Sequence, residues 1–187
     1  MQDGSDPCID GVRIIELTTH EDDRGALIEV FREVPEIGLS PVQWNYVRSH
    51  AGVLRGIHAH VRHTDYLIVL EGSAIVGMKD LRPSSPTRNI TMLLRAEGDK
   101  LTALVIPPGV AHGFYYERPS LHLYAVDCFW DPADELGCLW NDPGLEIAWP
   151  CVNPRISMRD SRLPGFPEFA TQVEEGLAAR TQSLAPA

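Results

Sequence analysis

Short apolar runs, many alternating with polar positions, recur along the whole chain. A period of two marks strands with one buried face. Strands are therefore expected over residues 12–17, 26–31 and 42–49, then across a central hairpin in 52–72 that continues through 74–79. Further strands are expected over 89–95, 103–106, 114–117, 121–127 and 145–149. Residues 80–87, rich in proline and serine, read as a connection, because those residues interrupt a ladder. Only 168–181 carries a helical pattern, residues 1–10 read as a loose lead, and the last residues to Ala187 read as a disordered tail. About ten short strands punctuated by Gly and Pro predict an all-β barrel or double-sheet jelly roll. We read one domain over 1–187, with a helix and tail after residue 165.

The central stretch carries most of the candidate chemistry. Side chains two apart on a strand share a face, so His58 and His60 are expected to look into one cavity while Ile57 and Ala59 face away. Asp65 opens the apolar run 66–70; if that run pairs back on the first strand, Asp65 meets both histidines. His112, following Pro107-Pro108-Gly109, is a fourth inward candidate at a strand start.

Composition narrows the partners. With 187 residues and 44% hydrophobic content, the chain can bury a core. A net charge of −10 argues against nucleic acid or an anionic membrane as partner. It still permits a small anionic ligand held by a few arginines. Cys8, Cys128, Cys138 and Cys151 form no CxxC pair and read as reduced thiols. The N-terminus lacks the apolar core of a signal peptide, and no run approaches the ~20 apolar residues of a membrane span. A cytoplasmic location is the expectation.

The spacing G-x5-H-x-H-x4-D-x6-G over Gly52, His58, His60, Asp65 and Gly72, followed by P-x-G-x2-H at Pro107, Gly109 and His112, resembles the two motifs of the cupin superfamily. That resemblance implies a double-stranded β-helix, the cupin jelly-roll barrel. In metal-binding cupins the matching residues hold one divalent ion, which here implies His58, His60, Asp65 and His112 as ligands. Imidazole and carboxylate suit Fe, Mn, Ni, Zn or Cu. In other cupins the same histidines serve as acid–base or hydrogen-bonding groups without a metal.

A longer series of fragments resembles the dTDP-4-dehydrorhamnose 3,5-epimerase family. It runs through DDRG (22–25), Gln43 and Asn45 in VQWNYVRS, VLRGIH (53–58), DLRPSSPT (80–87), IPPGVAHGF (106–114), DELGCLWNDPGLEIAWP (134–150) and ISMRDSRLP (156–164). The resemblance implies that His58 is the base removing a proton beside a sugar's 4-keto group, oriented by Asp160. It further implies diphosphate contacts from Arg24 and Arg55, and sugar or nucleotide contacts from Gln43, Asn45 and His112. Trp140 is expected near the base, and Arg159 stands where the family has a lysine before the aspartate. No cofactor is required in that chemistry, and a homodimer formed by exchange of N-terminal strands is implied.

Two positions depart from the family pattern. Asp65 stands where the family has the lysine that stabilises the enolate, and Phe129 where it has the tyrosine that protonates the opposite sugar face. A phenylalanine cannot donate a proton, so full 3,5-epimerisation is not expected. His60 in the HAH sequence is also similar to the paired histidines of sugar-nucleotide 3,4-ketoisomerases. Three functions stand at this point: an isomerase of 4-keto-6-deoxyhexose nucleotides, a metal-dependent cupin lyase, isomerase or oxygenase on another small substrate, and a non-catalytic binding cupin.

Overall fold

The structure, a computed structural model, describes residues 8–35 and 37–184. Numbered in chain order, the strands are β1 (Arg13–Glu16), β2 (Thr19–Asp22), β3 (Gly25–Ile28), β4 (Gln43–Ser49), β5 (Val53–Ala59) and β6 (Asp65–Glu71). They continue with β7 (Ser73–Asp80), β8 (Thr91–Glu97), β9 (Thr102–Ile106), β10 (Val110–Tyr116), β11 (Ser120–Val126) and β12 (Leu136–Gly137), and one helix follows, α1 (Phe166–Leu184). Two five-stranded sheets face each other, ordered β1-β9-β6-β11-β4 and β12-β5-β10-β7-β8, while β2 and β3 form a separate hairpin. This is the double-sheet barrel that the strand count predicts and that the cupin resemblance implies. From β4 onward the chain alternates between the sheets except at the β7–β8 hairpin, and an apolar core fills the space between them, with Val69, Val76, Met78, Leu104 and Ile106 buried together.

The central stretch departs from the expected hairpin. β5 joins one sheet and β6 the other, and residues 60–64 cross between the walls. Two aspartates hold this crossing: Val61 and Arg62 donate their N–H to the Asp134 carboxylate, and Thr64 donates to Asp127. Their side chains satisfy main-chain donors that a hairpin would have spent on its own ladder. His58 and Asp65 therefore sit on facing walls rather than neighbouring strands.

Residues 145–149 are not a strand. Asp142 caps a 3₁₀ turn at Pro143–Leu145, its carboxylate accepting from Gly144 N–H, and its second oxygen accepts from Phe166 N–H. The apolar alternation there is buried by packing against α1 instead of by ladder pairing. On α1, Phe169 and Val173 are fully buried and Leu177 packs beside them, a stripe spaced by four. That stripe covers Ile57 and Ala59 on the outer face of β5, and Val61 just beyond it. The expected outward direction of Ile57 and Ala59 is thus explained by a helix that shields them. The helix extends beyond 168–181 at both ends, taking in residues 182–184 of the expected tail.

The lead is tighter than expected where it is described. Ile9 is fully buried in the barrel core, and Asp10 N–H donates to Thr87. Residues 1–7 of that lead, and 185–187 of the tail, lie outside the described residues. Among the described residues, no helix is long and apolar enough to cross a membrane.

Candidate active site

Between the two sheets lies a cavity of about 530 Å³. The turn of β5 into it is made at Gly56, whose φ is +108°. A Cβ there would stand 2.8 Å from Gly113 Cα and from the His112 carbonyl, so only glycine permits β10 to approach this closely. The strand then delivers His58 and His60 to the cavity, as their alternation predicts.

The His58 ring meets Asp160, with Nε2 and Oδ1 2.9 Å apart. Asp160 reaches β5 because the chain before it is tied there: Leu54 N–H donates to the Arg155 carbonyl and Arg155 N–H to the Gly52 carbonyl. Burial alone would raise the Asp160 pKa. His58, the Ser157 hydroxyl and Gly56 N–H outweigh it and hold the carboxyl below the ordinary carboxylate range. An ionised carboxylate on Nε2 fixes the N–H on that nitrogen, leaving Nδ1 as the basic atom of His58.

A second polar chain enters from the facing sheet. Trp130 N–H donates to Gln43 Oε1, and Gln43 Nε2 donates to Asn45 Oδ1, 3.1 Å away. With its carbonyl thus engaged, Asn45 presents its amide nitrogen, which is buried and has no partner among the described residues. A buried N–H without an acceptor is costly.

Deeper in, His60, His63, Asp65, His112 and Asp134 form a buried cluster. His60 and His63 stack with centroids 4.1 Å apart. His60 Nδ1 donates to the Asp134 carbonyl, and His112 Nδ1 to the Val110 carbonyl. Burial dominates at His112 and lowers its pKa to about 4 despite Asp65, so the ring is neutral near pH 7. At His63 burial opposes charge, yet Asp134, Asp65 and Asp127 raise its pKa.

The expected four-ligand metal set does not assemble. His60, Asp65 and His112 place ligand atoms within 4.8 Å of one another, but His58 is outside that group and bound to Asp160. His63 Nε2 and His112 Nε2 stand 3.8 and 3.9 Å from the Asp65 carboxylate, too far for hydrogen bonds. A second trio, His60, His63 and Asp134, is occupied with its own contacts: Asp134 holds two main-chain N–H groups and lies 3.1 Å from His63 Nδ1. Of the two, the first trio is the one whose three residues all line the cavity, a two-histidine, one-carboxylate set that fits a divalent ion.

The other expected residues divide. Arg55 lines the cavity, its Nε donating to Ser49 Oγ at 3.0 Å, and Arg159 lines it while paired to Glu135. Arg24 does not reach this cavity; it sits on the β2–β3 hairpin with an 85% exposed side chain paired to Asp22. Trp140 is not in the cavity either, because it packs with the apolar cluster beneath α1. Phe129 is exposed and Trp130 stands at the cavity wall instead. Glu135, His63, Tyr124 and His122 also line the cavity. The last two share a face of the predicted strand 121–127, a signal that alternation alone supplied.

A double-sheet barrel whose cavity holds a hydrogen-bonded His–Asp pair has the geometry of a proton-transfer site. The family described as dTDP-4-dehydrorhamnose 3,5-epimerase matches residues 7–168. A dTDP-4-dehydrorhamnose 3,5-epimerase from Pseudomonas aeruginosa is 34% identical over 167 residues, covering 84% of this chain and 92% of its own. The crystal structure of the Bacillus anthracis enzyme of the same description, with TDP and PPi bound, is 32% identical with a TM-score of 0.79, over 83% of this chain and 94% of that one. ChmJ, a 3'-monoepimerase from Streptomyces bikiniensis in complex with dTDP-quinovose, gives a TM-score of 0.83 at 26% identity, over 95% and 97%. The chain belongs to the dTDP-4-dehydrorhamnose 3,5-epimerase family.

Proposed function

We propose that this protein removes the proton beside the keto group of a nucleoside-diphosphate 4-keto-6-deoxyhexose, inverting or isomerising one centre rather than two. The observation that carries this is the His58–Asp160 pair, 2.9 Å apart and facing the cavity. A proton next to a ketone is weakly acidic, and a base with a pKa near about 7 is suited to take it. His58 Nδ1 accepts the proton. The imidazolium that forms keeps its Nε2–H on Asp160, whose charge stabilises it. Asn45 Nδ2, the donor without a partner, is the group we assign to a ligand oxygen. Arg55 and Arg159 supply positive charge for the diphosphate, where guanidinium forks match phosphate oxygens. This chemistry requires no cofactor.

Arg24, standing off its own cavity on an exposed hairpin, fits a homodimer in which that hairpin serves the partner's site. A 3'-monoepimerase stands among the similar structures beside the 3,5-epimerases and is a precedent for a single inversion. The four free cysteines agree with a reducing compartment such as the cytoplasm.

The His60–Asp65–His112 trio favours a second reading, in which these three side chains hold a divalent ion. Such an ion supplies Lewis acidity toward a carbonyl oxygen. His58 remains a base in either reading, since it is not part of the trio. Elemental analysis of the purified protein and of a His112→Ala variant separates the two: one ion per chain lost in the variant supports the second reading, and a metal-free wild type removes it.

The test of the main reading is incubation with dTDP-4-keto-6-deoxyglucose in D2O. Deuterium is expected at one carbon flanking the ketone. Entry at both, with a doubly inverted product, would restore full 3,5-epimerisation, and no entry with a bound sugar would leave a binding role.

A further inference from the structure

His122 lines the cavity from β11, yet the proton transfer proposed above leaves it without a task. It is buried from bulk solvent and stands in register with Val47 on β4. Its Nδ1 meets the Tyr116 hydroxyl at 2.5 Å, and the two rings stack with 3° between their planes. Nε2, the other ring nitrogen, has no hydrogen-bond partner among the described residues.

A chain of hydrogen bonds decides which nitrogen carries the proton. It starts at Arg55, whose guanidinium can only donate: Nε gives its hydrogen to Ser49 Oγ at 3.0 Å. The Ser49 hydroxyl is engaged in turn with the Tyr116 phenol, which is fully buried and which burial keeps protonated. A fixed cation at the head of such a chain turns each hydroxyl proton away from itself. Ser49 therefore donates to Tyr116, and Tyr116 donates to His122 Nδ1. Burial first, and Arg55 second, lower the His122 pKa to about 4, so the ring is neutral near pH 7. A neutral imidazole that accepts at Nδ1 carries its one N–H at Nε2.

The corner that this N–H shares with Arg55 is rich in donors. The Arg55 N–H groups not spent on Ser49 serve the cavity that its side chain lines. Val47 is apolar, and so is Phe114, whose ring centroid lies 5.6 Å from that of His122. The carboxylates of the cavity are committed elsewhere: Asp65 stands with His60 and His112, Asp160 holds His58, and Glu135 is paired to Arg159. A sugar hydroxyl placed in this corner needs an acceptor for its own proton, whereas an ionised phosphate oxygen only accepts.

We propose that His122 is a substrate-binding residue whose Nε2–H donates to a phosphate oxygen of the bound nucleoside diphosphate, alongside the Arg55 guanidinium. This rests on the nucleotide-sugar reading above and adds a neutral donor to it. Arg55 supplies charge, which attracts any anion from many directions. The His122 N–H is fixed in direction by Tyr116, so it selects where the phosphate sits. That choice sets the attached sugar against His58 on the facing sheet.

The test uses the full-length protein with ¹⁵N-labelled histidine, the His122 signals being those missing from a His122→Phe sample. Long-range NMR of the wild type should show the proton on Nε2, unchanged between pH 8 and about 6, two units above the lowered pKa. Adding dTDP, or inorganic pyrophosphate in its place, should shift that Nε2–H signal. By calorimetry, folded His122→Phe should bind dTDP roughly tenfold or more weakly, as one hydrogen bond to a charged group implies. His122→Gln, which keeps a side-chain N–H, should recover part of the loss. A proton found on Nδ1, or an Nε2–H that neither dTDP nor pyrophosphate moves, overturns the proposal even where the variants fail to fold. So does wild-type affinity for dTDP in His122→Phe. A wild type that binds no dTDP overturns the nucleotide reading itself, and is seen before any variant is made.

Discussion

His58 and Asp160 lie 102 residues apart in the chain, yet their Nε2 and Oδ1 atoms are 2.9 Å apart. The contact forms because the chain at Arg155 is bridged to Val53 of β5, a few residues before the 3₁₀ turn that begins at Asp160. Its consequence is a fixed tautomer. With Nε2–H on a carboxylate, the lone pair of Nδ1 is the one available to a substrate.

Replacing that carboxylate tests the orienting role. Asp160→Asn keeps the shape but permits the amide to donate, favouring the wrong tautomer. Steady-state kinetics should show kcat reduced by roughly 10²- to 10⁴-fold with KM little changed. A rise in KM with kcat intact would assign Asp160 to binding instead.

Asn45 offers a different signature. Its amide nitrogen is buried without a partner, so removing it deletes a donor that the free protein does not satisfy. Asn45→Ala should leave denaturant stability within about 1 kcal/mol, because the unmet desolvation of that donor offsets the loss of its contact with Gln43. Affinity for the keto-sugar nucleotide should fall roughly tenfold, about the 1.4 kcal/mol of one hydrogen bond, with affinity for dTDP unchanged.

The proposed placement of the β2–β3 hairpin at a partner's site predicts complementation. Arg24→Ala and His58→Asn should each be inactive or nearly so as homodimers. Mixing them under conditions of subunit exchange should restore activity, since the Arg24→Ala subunit keeps its own His58 and receives the partner's Arg24. No recovery in verified mixed dimers would confine Arg24 to its own subunit's surface.

Acid stability should depend on Asp80, which is fully buried. Burial alone would raise its pKa, but Arg82, Ser85 and Thr87 bind the carboxylate and bring it down to about 2. A folded pKa below the unfolded value of about 3.9 contributes stability that is present above pH ~4 and lost as pH falls toward ~2. The contribution is of order 2–3 kcal/mol. The gap in urea midpoint between wild type and Asp80→Asn should therefore be wide at pH 6 and close as pH approaches 2.

How much of this was legible depends on which signal carried it. His58 and His60 share a cavity because strand alternation is local, and a period of two survives any topology. The pairing of β5 with β6 was not legible, because five residues can close a hairpin or cross a barrel. Asp127 and Asp134, distant in sequence, make the crossing the satisfied choice. The same distance misled the metal reading, which grouped His58 with Asp65 when Asp160 had already claimed the ring. DLRPSSPT and WNDP match the family for structural reasons: Asp80 gathers the first into a turn, and Asp142 caps both a 3₁₀ turn and α1. Trp140, beside Asp142, packs beneath that helix accordingly, where a motif alone suggested a nucleotide contact.

The most direct measurement is solvent exchange catalysed by His58→Asn beside wild type, with dTDP-4-keto-6-deoxyglucose in D2O and dTDP affinity confirmed for both. Our account predicts deuterium entry next to the ketone in the wild type and its loss, by at least about 10²-fold, in the variant. Undiminished exchange in His58→Asn would contradict the account and move the base elsewhere in the cavity.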